Sequence, residues 1–113
     1  MNKNELEKII NEAFDKKESI NTSDKNLLNA INETINLLDS GIIRVANKNN
    51  GNWIVNQWIK KAILLSFKTN KMVMSKGPYT TWYDKVSGKS VEWKEEDWKK
   101  AGYRHVPNGV VRK

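Results

Sequence analysis

The dipeptide Asn50-Gly51 is the feature that most limits how this chain can fold. It stands between two runs typical of strands, residues 42–48 and 52–55. Asparagine and glycine readily adopt the positive φ angles of a type I′ turn, the two-residue connection that matches the twist of a β-hairpin. The pattern therefore predicts a hairpin, and its alternation sets which side chains share a face. The residues expected on the buried face are Ile43, Val45 and Ile54.

Two patterns of helical spacing precede this hairpin. One predicts a helix over residues 4–17, and the other predicts a helix with Thr22 or Ser23 as its N-cap. Gly41 suits the left-handed position just past the end of that second helix. The apolar residues on the two faces are Leu6, Ile9, Ile10, Ala13 and Phe14, then Leu28, Ile31, Ile35 and Leu38.

A third helix is predicted over residues 57–67, directly after the hairpin, with Asn56 as its candidate N-cap. Lys60 and Lys61 lie off the apolar stripe of this helix, so both ammonium groups are expected to face solvent. The stripe consists of Trp58, Ala62 and Leu65, with Ile59 and Ile63 beside it.

The periodic signals are weaker after residue 67. Short strands are predicted at residues 72–74 and 81–83, with a turn at Gly77-Pro78 between them, and a second turn is predicted over residues 87–89. The whole order of elements predicts an α+β, mainly helical fold with three to four helices and a β-hairpin.

The last part of the chain predicts one more helix and then extended backbone. Residues 92–100 favour a short helix that ends at Gly102. Pro107 restricts Val106 to extended conformations, so residues 103–113 are expected to be extended and to have no partner in this chain.

The charge of the chain is uneven. Residues 1–39 have a net charge of −3, and residues 40–113 have a net charge of +10. A basic half with interspersed tryptophans is compatible with a nucleic-acid-binding module. However, 17 of the 20 basic residues are lysine, and arginine, whose planar fork suits phosphates and base edges, is scarce. The bias toward Lys, Asn and Ile that an AT-rich genome imposes is the favoured interpretation of this charge.

Several kinds of chemistry are excluded by residue content. The chain has no cysteine, which excludes disulfides, thiolate metal sites and cysteine nucleophiles. It also lacks the common nucleotide-binding and hydrolase motifs. The single histidine, His105, is expected to be a packed or edge residue. Glu95, Glu96 and Asp97 are consecutive, so they fan around a helix start and are expected to face solvent. No apolar run typical of a signal peptide or a spanning helix is present, and a cytoplasmic location is expected.

Arg104 is the one candidate binding residue. It follows Gly102 at a boundary where the backbone is expected to become extended. A guanidinium held at such a position can bind a carboxylate bidentately, which is stronger than an exposed ion pair. From spacing alone, a structural salt bridge is the default interpretation.

Five motifs between residues 37 and 112 carry a resemblance. In chain order they read LLDSGIIRVANK, GNW, QWIKKAILLSF, YDKV and GYRHVPNGVVR. With these motifs the chain resembles the N-terminal domain of the 2,3,4,5-tetrahydropyridine-2,6-dicarboxylate N-succinyltransferase family, in which they occur in the same order at similar spacing. The first helix, ELEKIINEAFDKK, is similar more loosely. The likeness extends along the whole chain and covers less than half of the enzyme.

The resemblance implies a small, mostly helical N-terminal domain over residues 1–103 and an extended lead-in over residues 104–113. The lead-in would reach a left-handed parallel β-helix, absent here, that forms homotrimers and binds the acyl-CoA between subunits. The family transfers a succinyl group from succinyl-CoA to ring-opened tetrahydrodipicolinate, on the diaminopimelate route to lysine. Its motif G-[FY]-R-x-V-P falls on residues 102–107, which implies that Arg104 binds the dicarboxylate substrate.

Two departures from the family accompany this likeness. His105 stands where the family has an apolar residue, so it is assigned no catalytic role. Asn108-Gly109 replaces a more rigid segment and is expected to loosen the lead-in. The CoA site and the acidic residue that assists catalysis would lie on the β-helix. No catalytic, cofactor-binding or metal-binding residue is therefore expected in this chain, and the 113 residues alone are expected to be inactive, since transfer needs both substrates held together.

Two other functions stay open at this point. One is a free-standing nucleic-acid-binding module that uses the basic half and the tryptophans. The other is a protein-interaction domain that pairs with a separately encoded β-helix chain. The leading hypothesis instead predicts the dicarboxylate substrate and the β-helix domain of the same enzyme as partners, with neither nucleic acid nor a membrane among them.

Overall fold

The computed structural model describes all 113 residues, which form two compact units, Met1–Asn70 and Lys71–Lys113. The chain contains four helices and two separate two-stranded antiparallel sheets, which confirms the α+β, mainly helical class. None of the helices combines the length and hydrophobicity needed to cross a bilayer. The elements are α1 (Lys3–Asp15), α2 (Lys25–Asp39), β1 (Ala46–Asn49), β2 (Asn52–Val55), α3 (Gln57–Thr69), β3 (Val73–Lys76), β4 (Thr81–Asp84) and α4 (Glu95–Ala101).

The first unit is built on the mutual packing of α1, α2 and α3. The predicted apolar faces of α1 and α3 are confirmed, but α2 buries Leu27 where Leu28 was predicted. Thr34 is also fully buried in α2, and its hydroxyl donates to the Ala30 carbonyl at 2.7 Å. That bond satisfies the hydroxyl inside the core. The buried apolar residues are Leu6, Ile10, Leu27, Ala30, Ile31, Trp58, Ile59, Ala62 and Leu65.

The ends of α2 show one wrong prediction and one correct one. The N-cap is Asp24, not Thr22 or Ser23, because its carboxylate accepts hydrogen bonds from two backbone N–H groups of the first turn, at 2.9 and 3.3 Å. Gly41 has a φ of +76°, as predicted. It closes a Schellman motif, in which its own N–H donates to the Leu38 carbonyl and the next N–H donates to the Leu37 carbonyl.

The hairpin between α2 and α3 has the predicted turn. Asn50 and Gly51 have φ angles of +49° and +80°, both positive as a type I′ turn requires. The first strand begins only at residue 46, although Ile43 and Val45 do pack against the core. Ile54 is 42% exposed, so its predicted burial is wrong. The reason is that β2 pairs only with β1, and no other element covers it.

Asn56 connects this hairpin to α3 in an unexpected way. It occupies the N-cap position, but its side chain makes no capping hydrogen bond. Its amide nitrogen donates instead to the Arg44 carbonyl at 2.7 Å and to Asn47 Oδ1 at 2.8 Å. Asn56 therefore holds the hairpin strands at the helix start.

The two lysines of α3 have different surroundings. Lys60 is exposed, as predicted. Lys61 is half-buried, with its Nζ donating to Asn11 Oδ1 at 2.7 Å and lying 5.5 Å from the centre of the Phe14 ring. The prediction that Lys61 faces solvent is wrong because α1 packs beside α3 and offers it these partners.

The second unit begins with the β3–β4 hairpin, whose strands and turn were predicted. A Cβ atom at Gly77 would collide with the far edge of the Trp82 ring, so a larger residue there would have to displace that ring. The second turn is displaced from its predicted place, because Gly88 forms an antiparallel bridge with Arg112. Helix α4 starts three residues later than predicted, since the Asp97 carboxylate accepts the Lys94 N–H at 2.8 Å and marks the helix start there.

The end of the chain differs most from its prediction. Asn108 has a φ of +72°, and the Gly109 N–H donates to the Val106 carbonyl at 2.8 Å, so the backbone turns here. The following residues then pair with residues 87–89 through N–H to carbonyl bonds of 2.8 and 3.0 Å. The segment is therefore neither extended throughout nor without a partner. The division into a domain over residues 1–103 and a lead-in over residues 104–113 stays a prediction.

Candidate functional site

Three aromatic rings form a cluster around α4 in the second unit. The rings of Trp93 and Trp98 meet edge to face, with centroids 4.8 Å apart. The Tyr103 ring lies 5.6 Å from Trp98 and 6.2 Å from Trp93. Offset and edge-to-face contacts at these distances stabilise aromatic pairs beyond the area they bury. The cluster therefore holds the backbone on both sides of the short helix.

Gly102 directs the chain out of α4, as predicted. Its φ is +73°, and its N–H donates to the Trp98 carbonyl at 3.1 Å. A left-handed residue at this position ends a helix and reverses the chain direction, which glycine does without steric cost. Residues 103–105 consequently start from a defined point beside Trp98.

Arg104 is exposed and makes no hydrogen bond or ion pair within the chain. It lines an open cleft of about 410 Å³. The structure places no carboxylate within ion-pair distance of its guanidinium, so the default interpretation as a structural salt bridge does not hold. The other lining residues are Trp98, Tyr103, His105, Val106 and Pro107. Arg104 is thus the only cationic side chain of a cleft that has no acidic lining residue.

His105 is a packed residue, as predicted. Its ring centroid lies 5.5 Å from that of Trp98, and its Nε2 atom is buried without a hydrogen-bond partner. On the other side, a Cβ atom at Gly109 would lie 2.7 Å from His105 Cδ2 and 2.9 Å from the Val106 carbonyl oxygen. Gly109 therefore closes the turn tightly onto the histidine ring, instead of simply loosening the segment.

Asp84 and Arg112 form an ion pair that the sequence analysis missed. One guanidinium nitrogen of Arg112 lies 3.2 and 2.9 Å from the two carboxylate oxygens of Asp84. The Lys85 N–H donates to Asp84 at 2.8 Å. This backbone bond first, and then the charge of Arg112, holds the pKa of Asp84 below its usual value against an opposing effect of burial. Asp84 lies in the YDKV motif and Arg112 lies in the GYRHVPNGVVR motif. The motifs therefore contained both residues but did not indicate that they pair.

The acidic residues of α4 behave as predicted. Glu95, Glu96 and Asp97 are all exposed. Glu95 pairs with Lys99 at 3.4 Å one turn along the helix, and Asp97 caps the helix start. The chain has no group of three or more His, Cys, Asp or Glu side chains suited to a metal ion. Arg104 therefore stays the candidate residue for binding an anionic ligand.

Comparison with known proteins gives a family. Residues 5–69 match the family described as Tetrahydrodipicolinate N-succinyltransferase N-terminal. The chain belongs to this family. The match spans the three packed helices and the first hairpin, and it stops one residue before the end of the first unit. This confirms the resemblance inferred from the motifs.

Curated relatives named 2,3,4,5-tetrahydropyridine-2,6-dicarboxylate N-succinyltransferase extend the likeness to the second unit. The protein of Pelagibacter ubique (strain HTCC1062) is 56% identical over 113 residues, covering 96% of this chain and 41% of the relative. The proteins of Agrobacterium fabrum (strain C58 / ATCC 33970) and Bartonella tribocorum (strain CIP 105476 / IBS 506) are 50% and 49% identical over 112 residues, covering 96% of this chain and 39% of each relative. The chain therefore spans about 40% of the length of these succinyltransferases.

Neither alternative function gains support from these findings. Trp58 is buried in the helical core, and Trp93 and Trp98 pack against each other. Bases would need free aromatic faces along one groove, which three of the five tryptophans do not provide. Every relative described above is a succinyltransferase, and none is a nucleic-acid-binding or adaptor protein.

Proposed function

We propose that this chain is the N-terminal, substrate-side part of an acyltransferase that moves a succinyl group from succinyl-CoA to tetrahydrodipicolinate, on the diaminopimelate route to lysine. The names of the relatives support the reaction. The proposal that this part of the enzyme binds the substrate rests on one observation, the exposed and unpaired guanidinium of Arg104 in its open cleft.

Arg104 is proposed to bind a carboxylate of the substrate. A dicarboxylate carries two negative charges at neutral pH, and arginine is always charged and offers parallel N–H donors that match a carboxylate. Because Arg104 has no partner of its own, binding breaks no existing ion pair.

The remainder of the reaction is proposed to depend on parts of the enzyme beyond these residues. The amino group of the ring-opened substrate, which forms when water adds to the cyclic imine, attacks the thioester carbonyl of succinyl-CoA. A C–N bond forms, the C–S bond breaks, and CoA leaves as the thiol with the proton lost from nitrogen. A β-helix domain of the same enzyme is proposed to bind succinyl-CoA, with a homotrimer bringing Arg104 to a neighbouring subunit and with the cytoplasm as the location. The 113 residues alone are expected to release no CoA from a mixture of both substrates, because the two must be held together. Robust turnover by them would contradict this part of the proposal.

The substitution Arg104→Ala tests the binding role in a full-length succinyltransferase that carries these residues. We expect the KM for the dicarboxylate to rise roughly 10- to 100-fold, the effect of losing a hydrogen-bonded charge contact. The KM for succinyl-CoA should stay within about twofold, since that ligand does not need Arg104.

Arg44→Ala is the matched control, because Arg44 is another exposed arginine, located in the first unit. It should leave both KM values unchanged. Arg104→Lys keeps the charge but not the planar fork, so it should restore only part of the affinity. A dicarboxylate KM that Arg104→Ala does not change would remove Arg104 from the site.

A further inference from the structure

Trp98 contacts both chain neighbours of Arg104. The Tyr103 ring lies 5.6 Å from Trp98, and the His105 ring lies 5.5 Å from it. Tyr103 and His105 both contact Trp98, so the backbone of Arg104 is held on both sides, while its side chain stays exposed.

Trp98 is itself held by two further contacts. Its indole meets Trp93 edge to face at 4.8 Å, and its carbonyl accepts the Gly102 N–H at 3.1 Å. The first contact orients the ring, and the second sets the point at which the chain leaves the helix. Trp98 therefore has a defined position relative to the backbone that carries Arg104.

His105 completes this arrangement on the far side. Its ring is confined between Trp98 and Gly109, and its buried Nε2 atom has no hydrogen-bond partner. An unpaired buried nitrogen costs free energy, so the ring contributes here through its shape and not through hydrogen bonding. Removing the ring would leave the segment after Arg104 with fewer contacts.

We propose that Trp98 is a positioning residue for Arg104: it holds residues 103 and 105 so that the guanidinium faces the dicarboxylate before the ligand binds. The inference rests on the proposed role of Arg104. Fixing the backbone beforehand reduces the ordering that binding must otherwise impose on a long, flexible side chain. Trp98 also lines the cleft, and its proposed role is to hold the backbone and not to bind the carboxylate.

The test is the substitution Trp98→Leu in the full-length enzyme. We expect the KM for the dicarboxylate to rise about tenfold through misplacement of the guanidinium, while the KM for succinyl-CoA stays within about twofold. Trp98→Phe keeps an aromatic ring against Tyr103 and His105, so it should restore most of the affinity. Trp53→Leu is the matched control, because Trp53 is 68% exposed on the first hairpin, and it should change neither KM.

The double variant Trp98→Leu/Arg104→Ala separates positioning from general structural damage. If Trp98 acts through Arg104, the double variant has the same dicarboxylate KM as Arg104→Ala alone. Effects that multiply instead would overturn the proposal. A dicarboxylate KM that Trp98→Leu leaves unchanged, while Arg104→Ala raises it, would also overturn it and would leave the proposed function intact. An unchanged KM in Arg104→Ala is the separate failure of the proposed function.

His105→Ala decides the matter if Trp98→Leu does not yield folded enzyme. It removes one of the two rings beside Arg104 and keeps the contacts among Trp93, Trp98 and Tyr103. We expect a dicarboxylate KM raised roughly threefold, with the KM for succinyl-CoA unchanged. An unchanged dicarboxylate KM in this folded variant would contradict the proposal.

Discussion

The two units of this chain are stabilised in different ways. Met1–Asn70 buries nine apolar side chains from three helices, whereas no residue of Lys71–Lys113 is fully buried. The second unit is held by the β3–β4 hairpin, aromatic contacts around α4, the Asp84–Arg112 ion pair and a short antiparallel bridge at Gly88. Apolar burial is the larger contribution to stability, and exposed ion pairs contribute little.

The candidate site lies in the less buried unit. Arg104 projects from a segment fixed by ring contacts and one turn, with the helical core contributing nothing to the cleft that it lines. Binding residues are commonly found on irregular segments that a stable scaffold supports. The comparison indicates that substitutions in the first unit should act mainly on folding, and those in the second mainly on the site.

The largest effect is expected from Leu65→Ala in α3. Leu65 is 1% exposed in the core, and its removal creates a cavity that costs about 2–5 kcal/mol of unfolding free energy. Urea unfolding followed by circular dichroism measures this change. Its neighbour Leu64 is 54% exposed, so Leu64→Ala should have a much smaller effect. Equal losses in the two variants would mean that the first unit lacks the core described here.

A smaller and more local effect is expected from Gly109→Ala in the second unit. The added Cβ would lie 2.7 Å from the His105 ring and 2.9 Å from a backbone oxygen, so the turn must move at a cost of about 1 kcal/mol. The NMR shifts of His105 and Trp98 should change while those of α1–α3 do not. Gly88→Ala is the control, because a Cβ atom added there would lie 3.8 Å from the Val111 carbonyl oxygen, an ordinary contact distance. Unchanged shifts in Gly109→Ala would show that the turn is not packed on the ring.

The smallest effect is expected from acid titration of Asp84. Its pKa is lowered in the folded chain, first by the Lys85 N–H and then by Arg112. The ion pair therefore stabilises the second unit above the ordinary carboxyl pKa of about 4 and loses this contribution as the pH falls through the lower folded value. Carboxyl-carbon NMR measures the titration directly.

Arg112→Ala sharpens this last expectation. It should raise the pKa of Asp84 only part of the way to its ordinary value, because the Lys85 N–H still donates to the carboxylate. Asp84→Asn should remove the part of the acid dependence that comes from this ion pair. If the pKa of Asp84 stayed the same without Arg112, the ion pair would not exist in solution.

Prediction from the sequence succeeded where the structure depends on neighbouring residues. The apolar faces of α1 and α3 follow from helical spacing, and the positive φ angles of Gly41, Asn50 and Gly102 follow from backbone sterics. The face of α2 was misplaced by one residue at Leu27, since a helix that contacts two others buries a wide stripe whose centre spacing alone does not define. Thr34 was missed because apolar spacing does not count a polar residue, although its hydroxyl bonds to a carbonyl of its own helix and can therefore be buried.

Other errors come from contacts between residues that are distant in sequence. Lys61 bonds to Asn11, 50 residues away, and Arg112 bonds to Asp84, 28 residues away. Partners so far apart in sequence are selected by packing, which local patterns do not encode. The same reason explains the return of the last residues to pair with residues 87–89, which no spacing in the sequence predicted.

By itself, the sequence determined the family, the three helices, the type I′ hairpin and Arg104 as the residue to consider, because motifs, periodicity and backbone preferences are local properties. Only the tertiary structure decided which of the arginines is paired. Arg112 forms an ion pair with Asp84, whereas Arg104 is exposed and has no acidic partner. An ion pair depends on distances through space, and those distances exist only once the chain has folded.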